Sequence, residues 1–98
     1  MSSFKEIIQG DKPVLVDFHA TWCGPCQTMA PIIDDLKKHY GDQLRVLKID
    51  VDKNQNASAK YKVRGVPTFL LFKKGEITWR SAGVHSRKDL MKQIDPLL

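Results

Sequence analysis

The only two cysteines of this 98-residue chain are separated by two residues, in the segment Trp22-Cys23-Gly24-Pro25-Cys26. A disulfide between them would close a very short loop, so it would add little stability by restricting the unfolded chain. The spacing is typical of a reversible disulfide that takes part in chemistry. The motif therefore favours a fold that holds two thiols together at one reactive site.

The residues on either side of the motif predict a strand that enters it and a helix that leaves it. Residues 13–18 form a nearly continuous apolar run, as expected for a strand buried on both faces. From Cys26 to about Tyr40, apolar residues recur at helical spacing. Cys23 then lies at the helix N-terminus, where N–H groups and the helix dipole favour an anionic sulfur. Cys26, one turn inside, is expected to be shielded and to act second, as the resolving thiol.

The main alternative for the cysteine pair is a zinc site. The pair would supply two ligands, and His19 could supply a third. The chain has no second CxxC and no histidine pair at zinc-finger spacing, so the sequence disfavours zinc. Gly24 and Pro25 instead fit the start of a helix, since glycine allows a tight turn and proline needs no N–H partner in the first turn.

The rest of the chain predicts elements in the order α-β-α-β-α-β-β-α. Ser3 and Ser86 are candidate helix caps, and Lys74-Gly75 marks a hairpin turn. Further strands are predicted over residues 44–51, 68–72 and 77–80, with a short helix over 57–61. This order predicts an α/β fold, with helices on both faces of a mixed sheet, in a single domain over residues 1–98.

Two charged residues interrupt the predicted strands. Asp17 lies six residues before Cys23, and burial would raise its pKa toward the range of a proton acceptor for Cys26. The alternative is that Asp17 lies at a solvent-exposed end of its strand, where its charge costs little. Lys48 lies in the neighbouring predicted strand and is a candidate partner for Asp17. The alternative is that Lys48 has no such partner, and that its aliphatic stem lies along the sheet while its ammonium reaches water.

Composition narrows the class of protein. The chain lacks a long apolar run, and residues 1–6 lack the apolar stretch of a secretory signal, so we expect a cytoplasmic protein that does not enter membranes. The net charge of +5 is concentrated in residues 60–98, which hold nine Lys or Arg and three Asp or Glu. No nucleic-acid motif accompanies these charges, and we expect a basic surface that aids solubility and steers acidic partners.

Together these features resemble the thioredoxin family. The residues in family order and spacing are Val14, Asp17, Phe18, Ala20, Trp22 to Cys26, Pro31, Lys48, Asp50, Gly65 to Thr68, Phe72, Gly75 and Gly83. The dipeptide between the cysteines also fits, because glutaredoxins favour Pro-Tyr there and protein disulfide isomerases Gly-His. The resemblance implies the thioredoxin fold and a protein-disulfide reductase that works by thiol–disulfide exchange.

The resemblance also implies roles for particular residues. Cys23 is the attacking thiol, Cys26 the resolving thiol, Asp17 the buried proton acceptor and Lys48 its partner. A cis bond at Val66-Pro67 is implied, with that loop against the disulfide. The implied active-site turn consists of Trp22, Gly24 and Pro25, and the implied substrate-binding residues are Trp22, Gly65, Val66, Pro67 and Gly83.

Partners follow from the same resemblance. It implies disulfide-containing client proteins, and electrons supplied by NADPH through thioredoxin reductase, with no bound cofactor or metal. The sequence itself has no Gly-rich dinucleotide motif. Two other functions remain as alternatives: an oxidant or isomerase of an oxidising compartment, which the Gly-Pro dipeptide disfavours, and a binding module whose thiols are secondary.

Three features depart from the family. The strand that usually precedes the first helix is expected to be missing, which leaves a mixed sheet of four strands with an open edge at residues 44–51. Charged side chains along that edge, from Arg45 to Asp52, predict a monomer. His19 stands where tryptophan is common, and Gln27 stands where Lys or Arg is common, which removes one cation near the thiols.

Overall fold

A computed structural model describes residues 3–98. The predicted order of elements is confirmed, with most bounds within two or three residues of those expected. In chain order they are α1 (Phe4–Ile8), β1 (Val14–His19), α2 (Gly24–Tyr40), β2 (Arg45–Asp50), α3 (Gln55–Lys60), β3 (Thr68–Lys73), β4 (Glu76–Ala82) and α4 (Arg87–Ile94), with 3₁₀ turns at Gly41–Gln43 and Asp95–Leu97. The predicted serine caps are also confirmed, because the hydroxyls of Ser3 and Ser86 accept N–H groups of α1 and α4. Within the described residues, no helix has both the length and the apolar character needed to cross a membrane.

The strands form one mixed sheet in the order β2-β1-β3-β4. Strand β1 runs parallel to β2 and antiparallel to β3, and β3 forms a hairpin with β4. The two central strands are the two apolar runs of the sequence, and all but the last residue of each is buried. The predicted four-stranded mixed sheet is therefore confirmed for residues 3–98. The expected loss of a family strand concerns the chain before Ser3, and Met1 and Ser2 lie outside the described residues.

Helices cover both faces of the sheet, as predicted. Helices α2 and α4 pack on one face against Leu15, Phe69 and Leu71. Helices α1 and α3 pack on the other face against Val16 and Phe72, among others. Because side chains alternate along a strand, Asp17 shares the face of Leu15. The carboxylate therefore points to the side of the sheet that α2 covers.

The C-terminal end of α2 is joined to the 3₁₀ turn at Asp95–Leu97 by one partly buried hydrogen bond. The Tyr40 hydroxyl donates to Asp95 Oδ1 at 2.6 Å, and burial together with this bond raises the pKa of Tyr40 well above its usual range. We expect Tyr40→Phe to lower the free energy of unfolding by about 1 kcal/mol, since it removes one bond and leaves Asp95 open to water. Urea denaturation measures the loss, and an unchanged midpoint would contradict it. The surroundings of Cys23 should not change, because Tyr40 lies about 25 Å along α2 from its first residue.

Candidate active site

Cys23 occupies the N-cap of α2, as the sequence predicts. Its backbone is extended, and its Sγ accepts a hydrogen bond from the Cys26 N–H at 3.2 Å. Gly24 begins the helix, and Pro25 lies in the first turn, where its missing N–H costs nothing. The sulfur of Cys23 therefore faces the positive end of the helix dipole, a position that stabilises a thiolate.

Cys26 lies in the first turn of α2, in direct contact with Cys23, and both residues are free thiols. Burial, followed by the contact with Cys23, raises the pKa of the Cys26 thiol to about 11. At neutral pH this thiol is therefore protonated and needs a base before it can act as a nucleophile.

Cys26 is shielded, as expected, but shielding does not distinguish it from Cys23. Cys23 is 4% exposed and Cys26 is 8% exposed, so Cys23 is covered as well. The cover comes from a distant loop, because the Cys23 thiol donates to the Val66 carbonyl oxygen at 3.6 Å. The two thiols differ instead in their position relative to the helix.

Asp17 is a buried acid with an unpartnered oxygen. The residue is 6% exposed, and its Oδ1 has no hydrogen-bond partner among the described residues. Burial raises the pKa of the Asp17 carboxyl, and the charges of His19 and Lys48 offset part of that rise. The alternative that Asp17 lies at a solvent-exposed strand end is therefore wrong. Because its pKa is raised, the carboxyl holds a proton at higher pH than an ordinary aspartate does.

Lys48 lies beside Asp17 in the register of β1 and β2, but it does not bind it. Its Nζ donates to Asp34 Oδ1 on α2 at 2.9 Å, where both side chains are largely in water. The expected Asp17–Lys48 pair is therefore wrong. The long lysine stem of an edge strand lets the ammonium reach solvent and an exposed carboxylate, which avoids the cost of desolvating its charge. The ammonium acts on Asp17 only through its charge.

A cleft of about 200 Å³ connects these groups. Asp17, His19, Cys26, Gln27 and Lys48 are among the residues that line it. A cleft of this size has room for a water molecule between its polar groups, and such a water can carry a proton between the Cys26 thiol and the Asp17 carboxyl. Sequence reasoning gave His19 no part in the proton chemistry, although strand alternation places Asp17 and His19 on the same face.

The loop before β3 closes the other side of the thiol pair. The Val66-Pro67 bond is cis, as the resemblance implies. The Pro67 carbonyl accepts a hydrogen bond from the N–H of Gly83 at 2.9 Å. Gly83 has a φ of +95°, a backbone conformation that residues with a side chain rarely adopt. Four of the five expected substrate-binding residues thus lie in or against this loop, at the ends of β3 and β4.

Trp22 forms an apolar edge beside the thiols. Its side chain is 69% exposed, and its Nε1 donates to Asp52 Oδ2 at 2.9 Å, which fixes the ring. A shallow apolar cleft of about 140 Å³ runs from Trp22 to Val66, past Val51 and Val63. An exposed indole held in place next to a cleft is a suitable contact for an apolar chain.

The zinc alternative requires a third ligand next to the cysteines. Among residues 3–98, no three His, Cys, Asp or Glu side chains form a group that could hold a metal ion. Cys23 and Cys26 lie in direct contact as two free thiols.

Comparisons with known proteins agree with this geometry. A family model described as Thioredoxin matches residues 1–96. The chain is 43% identical over 93 residues to "Thioredoxin" of Acidithiobacillus ferridurans, and the match covers 95% of this chain and 86% of that protein. It is also 43% identical over 98 residues to "Thioredoxin Y, chloroplastic" of Oryza sativa subsp. japonica, where it spans 99% of this chain but only 58% of the longer rice protein.

A solved structure supports the same assignment. A mutant thioredoxin from Halobacterium salinarum NRC-1 superposes with a TM-score of 0.88 at 36% identity, over 99% of this chain and 84% of the other. The fold predicted from the sequence is thereby confirmed. The chain belongs to the thioredoxin family of protein-disulfide reductases.

Proposed function

We propose that this chain reduces protein disulfides through a reversible dithiol formed by Cys23 and Cys26. One observation carries the proposal: a sulfur at the N-cap of α2 accepts an N–H bond and touches a second thiol whose pKa is raised to about 11. The first sulfur thus lies at a helix N-terminus and accepts an N–H bond there, and its neighbour stays protonated in reserve.

In the first step, the Cys23 thiolate attacks one sulfur of a client disulfide. A Cys23–client mixed disulfide forms, the client S–S bond breaks, and the released client thiolate takes a proton from water. In the second step, Cys26 loses its proton and attacks Cys23, which breaks the mixed disulfide and releases the second client thiolate. The client gains two electrons and two protons, and the protein becomes the Cys23–Cys26 disulfide.

We assign the proton acceptor of the second step to Asp17. Its buried carboxyl and the Cys26 thiol line one cleft, and its raised pKa makes the carboxylate a stronger base than an exposed aspartate. Lys48 tunes this carboxyl from a distance, through its charge, while bound to Asp34.

Client binding is assigned to the surface around Cys23. Trp22 supplies an apolar contact, and Gly65, Val66 and Pro67 present backbone beside the attacking sulfur, with Gly83 supporting that loop. The exposed ring and the adjoining apolar cleft suit an extended client segment.

The oxidised protein needs a source of two electrons. We propose that thioredoxin reductase supplies them from NADPH and that the chain binds no cofactor of its own. A reducing compartment such as the cytoplasm fits this cycle, since disulfides there are transient and catalytic. A monomer is supported by the charged residues Arg45, Lys48 and Asp50 on β2, the sheet edge in the described residues, because charged edge strands disfavour pairing with other chains.

Reduction of insulin by NADPH and a thioredoxin reductase tests this proposal. We expect NADPH oxidation that depends on both the reductase and this chain, and no turnover with the double variant Cys23→Ser/Cys26→Ser. If the wild type accelerates insulin reduction neither with thioredoxin reductase nor with excess dithiothreitol, the proposal that this chain reduces protein disulfides is wrong. If it accelerates the reaction only with dithiothreitol, thioredoxin reductase is not the electron donor, while the dithiol chemistry stands.

A further inference from the structure

A second cleft, of about 350 Å³, opens beside the loop that covers Cys23. Lys62, Arg64 and Arg80 contribute its charged side chains, and the hydroxyl residues Thr68 and Ser81 lie in its wall. We refer to it as the basic cleft. It belongs to none of the steps described above.

Arg80 is held in place at this cleft. It lies in β4 opposite Leu70 of β3, and its guanidinium donates to the carbonyl oxygens of Tyr61 and Lys62, the latter at 2.8 Å. Because guanidinium has five N–H donors, two bonds to carbonyl oxygens leave donors for a further acceptor. The positive charge is therefore fixed rather than free to move through solvent.

None of the three cations forms an ion pair with a carboxylate within the part of the chain that is described. The ion pairs of residues 3–98 are Lys48–Asp34 and Arg87–Asp35, and neither involves the basic cleft. The imbalance matches the sequence, since residues 60–98 hold nine Lys or Arg and three Asp or Glu. Like charges gathered at a surface create a local potential that attracts an anion.

The basic cleft is continuous with the surface assigned to clients. Arg64 and Gly65 line both it and the apolar cleft that runs from Trp22 to Val66. The Val66 carbonyl oxygen in turn accepts a hydrogen bond from the Cys23 thiol. A client segment whose sulfur reaches Cys23 therefore passes the mouth of the basic cleft within a few residues.

We propose that the basic cleft binds an acidic side chain of the client close to its disulfide, so that this protein selects clients with Asp or Glu beside the reactive cysteine. The selection rests on the proposed reductase function. A carboxylate suits the site, since it accepts from guanidinium and ammonium donors at once. The cleft has room for one or two side chains rather than a polyanion.

Matched peptide disulfides test the selection. Each peptide carries Glu, Gln or Lys at one position, one to four residues from the cysteine, and kcat/KM for its reduction is measured at low and high salt. We expect the Glu peptide to be preferred over the Gln peptide by about fivefold at one or two positions, with the Lys peptide the poorest substrate. The preference should shrink at about 0.5 M salt, where screening is strong.

Variants locate the preference. Lys62→Gln/Arg64→Gln should bring the Glu-to-Gln ratio close to one. The control Lys37→Gln/Lys38→Gln removes the same charge about 20 Å along α2 from Cys23, and it should keep the wild-type ratio. Peptides that are all reduced at equal rates by the wild type would overturn the proposal, as would a preference that survives in Lys62→Gln/Arg64→Gln.

A binding measurement separates this inference from the reductase proposal. The Glu peptide with serine in place of its cysteines is titrated into the reduced protein, and amide chemical shifts are recorded. We expect changes at residues 62–65 and 80–82 that are lost with the Gln peptide. Shifts elsewhere, or equal shifts with both peptides, would refute the acidic-residue site even if the protein proved to have no reductase activity.

Discussion

Cys26→Ser should turn this protein into a covalent trap for its clients, whereas Cys23→Ser should lose disulfide reduction altogether. The N-cap position leaves Cys23 able to attack in the absence of Cys26, and a serine hydroxyl cannot displace the client from the resulting mixed disulfide. In Cys23→Ser, the remaining thiol has its pKa raised by burial and stays protonated, so it attacks slowly.

Non-reducing gels and mass spectrometry measure the trapping. We expect client adducts on Cys23 of the Cys26→Ser protein that dithiothreitol releases, and none on the double serine variant. If Cys23→Ser accumulates adducts while Cys26→Ser does not, the roles of the two thiols are reversed. Circular dichroism of each variant checks that the fold is retained.

Asp17→Asn should slow the resolving step by at least about tenfold, because an amide cannot accept the Cys26 proton. A preformed mixed disulfide between the protein and a chromogenic thiol isolates this step, and stopped-flow absorbance follows release of the thiol. The difference from wild type should be largest near neutral pH and shrink as hydroxide begins to deprotonate Cys26 directly. Equal rates for the two proteins from pH 6 to 9 would contradict the role of Asp17.

The same variant should be more stable than the wild type at neutral pH. Burial raises the pKa of Asp17 in the folded protein, so folding favours the protonated form and ionisation costs stability. The cost is absent below the unfolded pKa of about 4 and grows as the pH rises through the folded pKa. We expect Asp17→Asn to gain about 1–3 kcal/mol at pH 7 and little at pH 3. Urea denaturation at the two pH values measures the gain. A lower free energy of unfolding for Asp17→Asn at pH 7 would contradict the claim that the buried Asp17 carboxylate destabilises the fold.

Local patterns in the sequence were sufficient for most of the fold. The apolar runs that became β1 and β3 are buried because each has helices on both sides, and such strands need no alternation. The N-cap position of Cys23 was predictable because strand, turn residues and helix follow one another directly in the chain.

The side-chain contacts that were missed depend on distant parts of the chain. The partner of Lys48 is Asp34, which lies on a different element 14 residues away. Sequence periodicity gives no reason to choose Asp34 as that partner over Asp17, which lies beside Lys48 in the adjacent strand. The contact of Cys23 with Val66, 43 residues away, could not be read from local patterns either, and only the family resemblance implied it. The convergence of Lys62, Arg64 and Arg80 likewise requires the path of the loop before β3, although the excess charge of residues 60–98 was visible.

An equilibrium redox titration tests most directly whether Cys23 and Cys26 form one reversible couple. The protein is equilibrated with dithiothreitol buffers of graded potential, free thiols are alkylated, and each species is counted by mass spectrometry. We predict one reversible two-electron transition between a form with both thiols alkylated and a form with neither, and peptide mapping should locate a Cys23–Cys26 disulfide. Cysteines that remain reduced at all potentials, or that oxidise only by linking two chains, would contradict a redox-active dithiol.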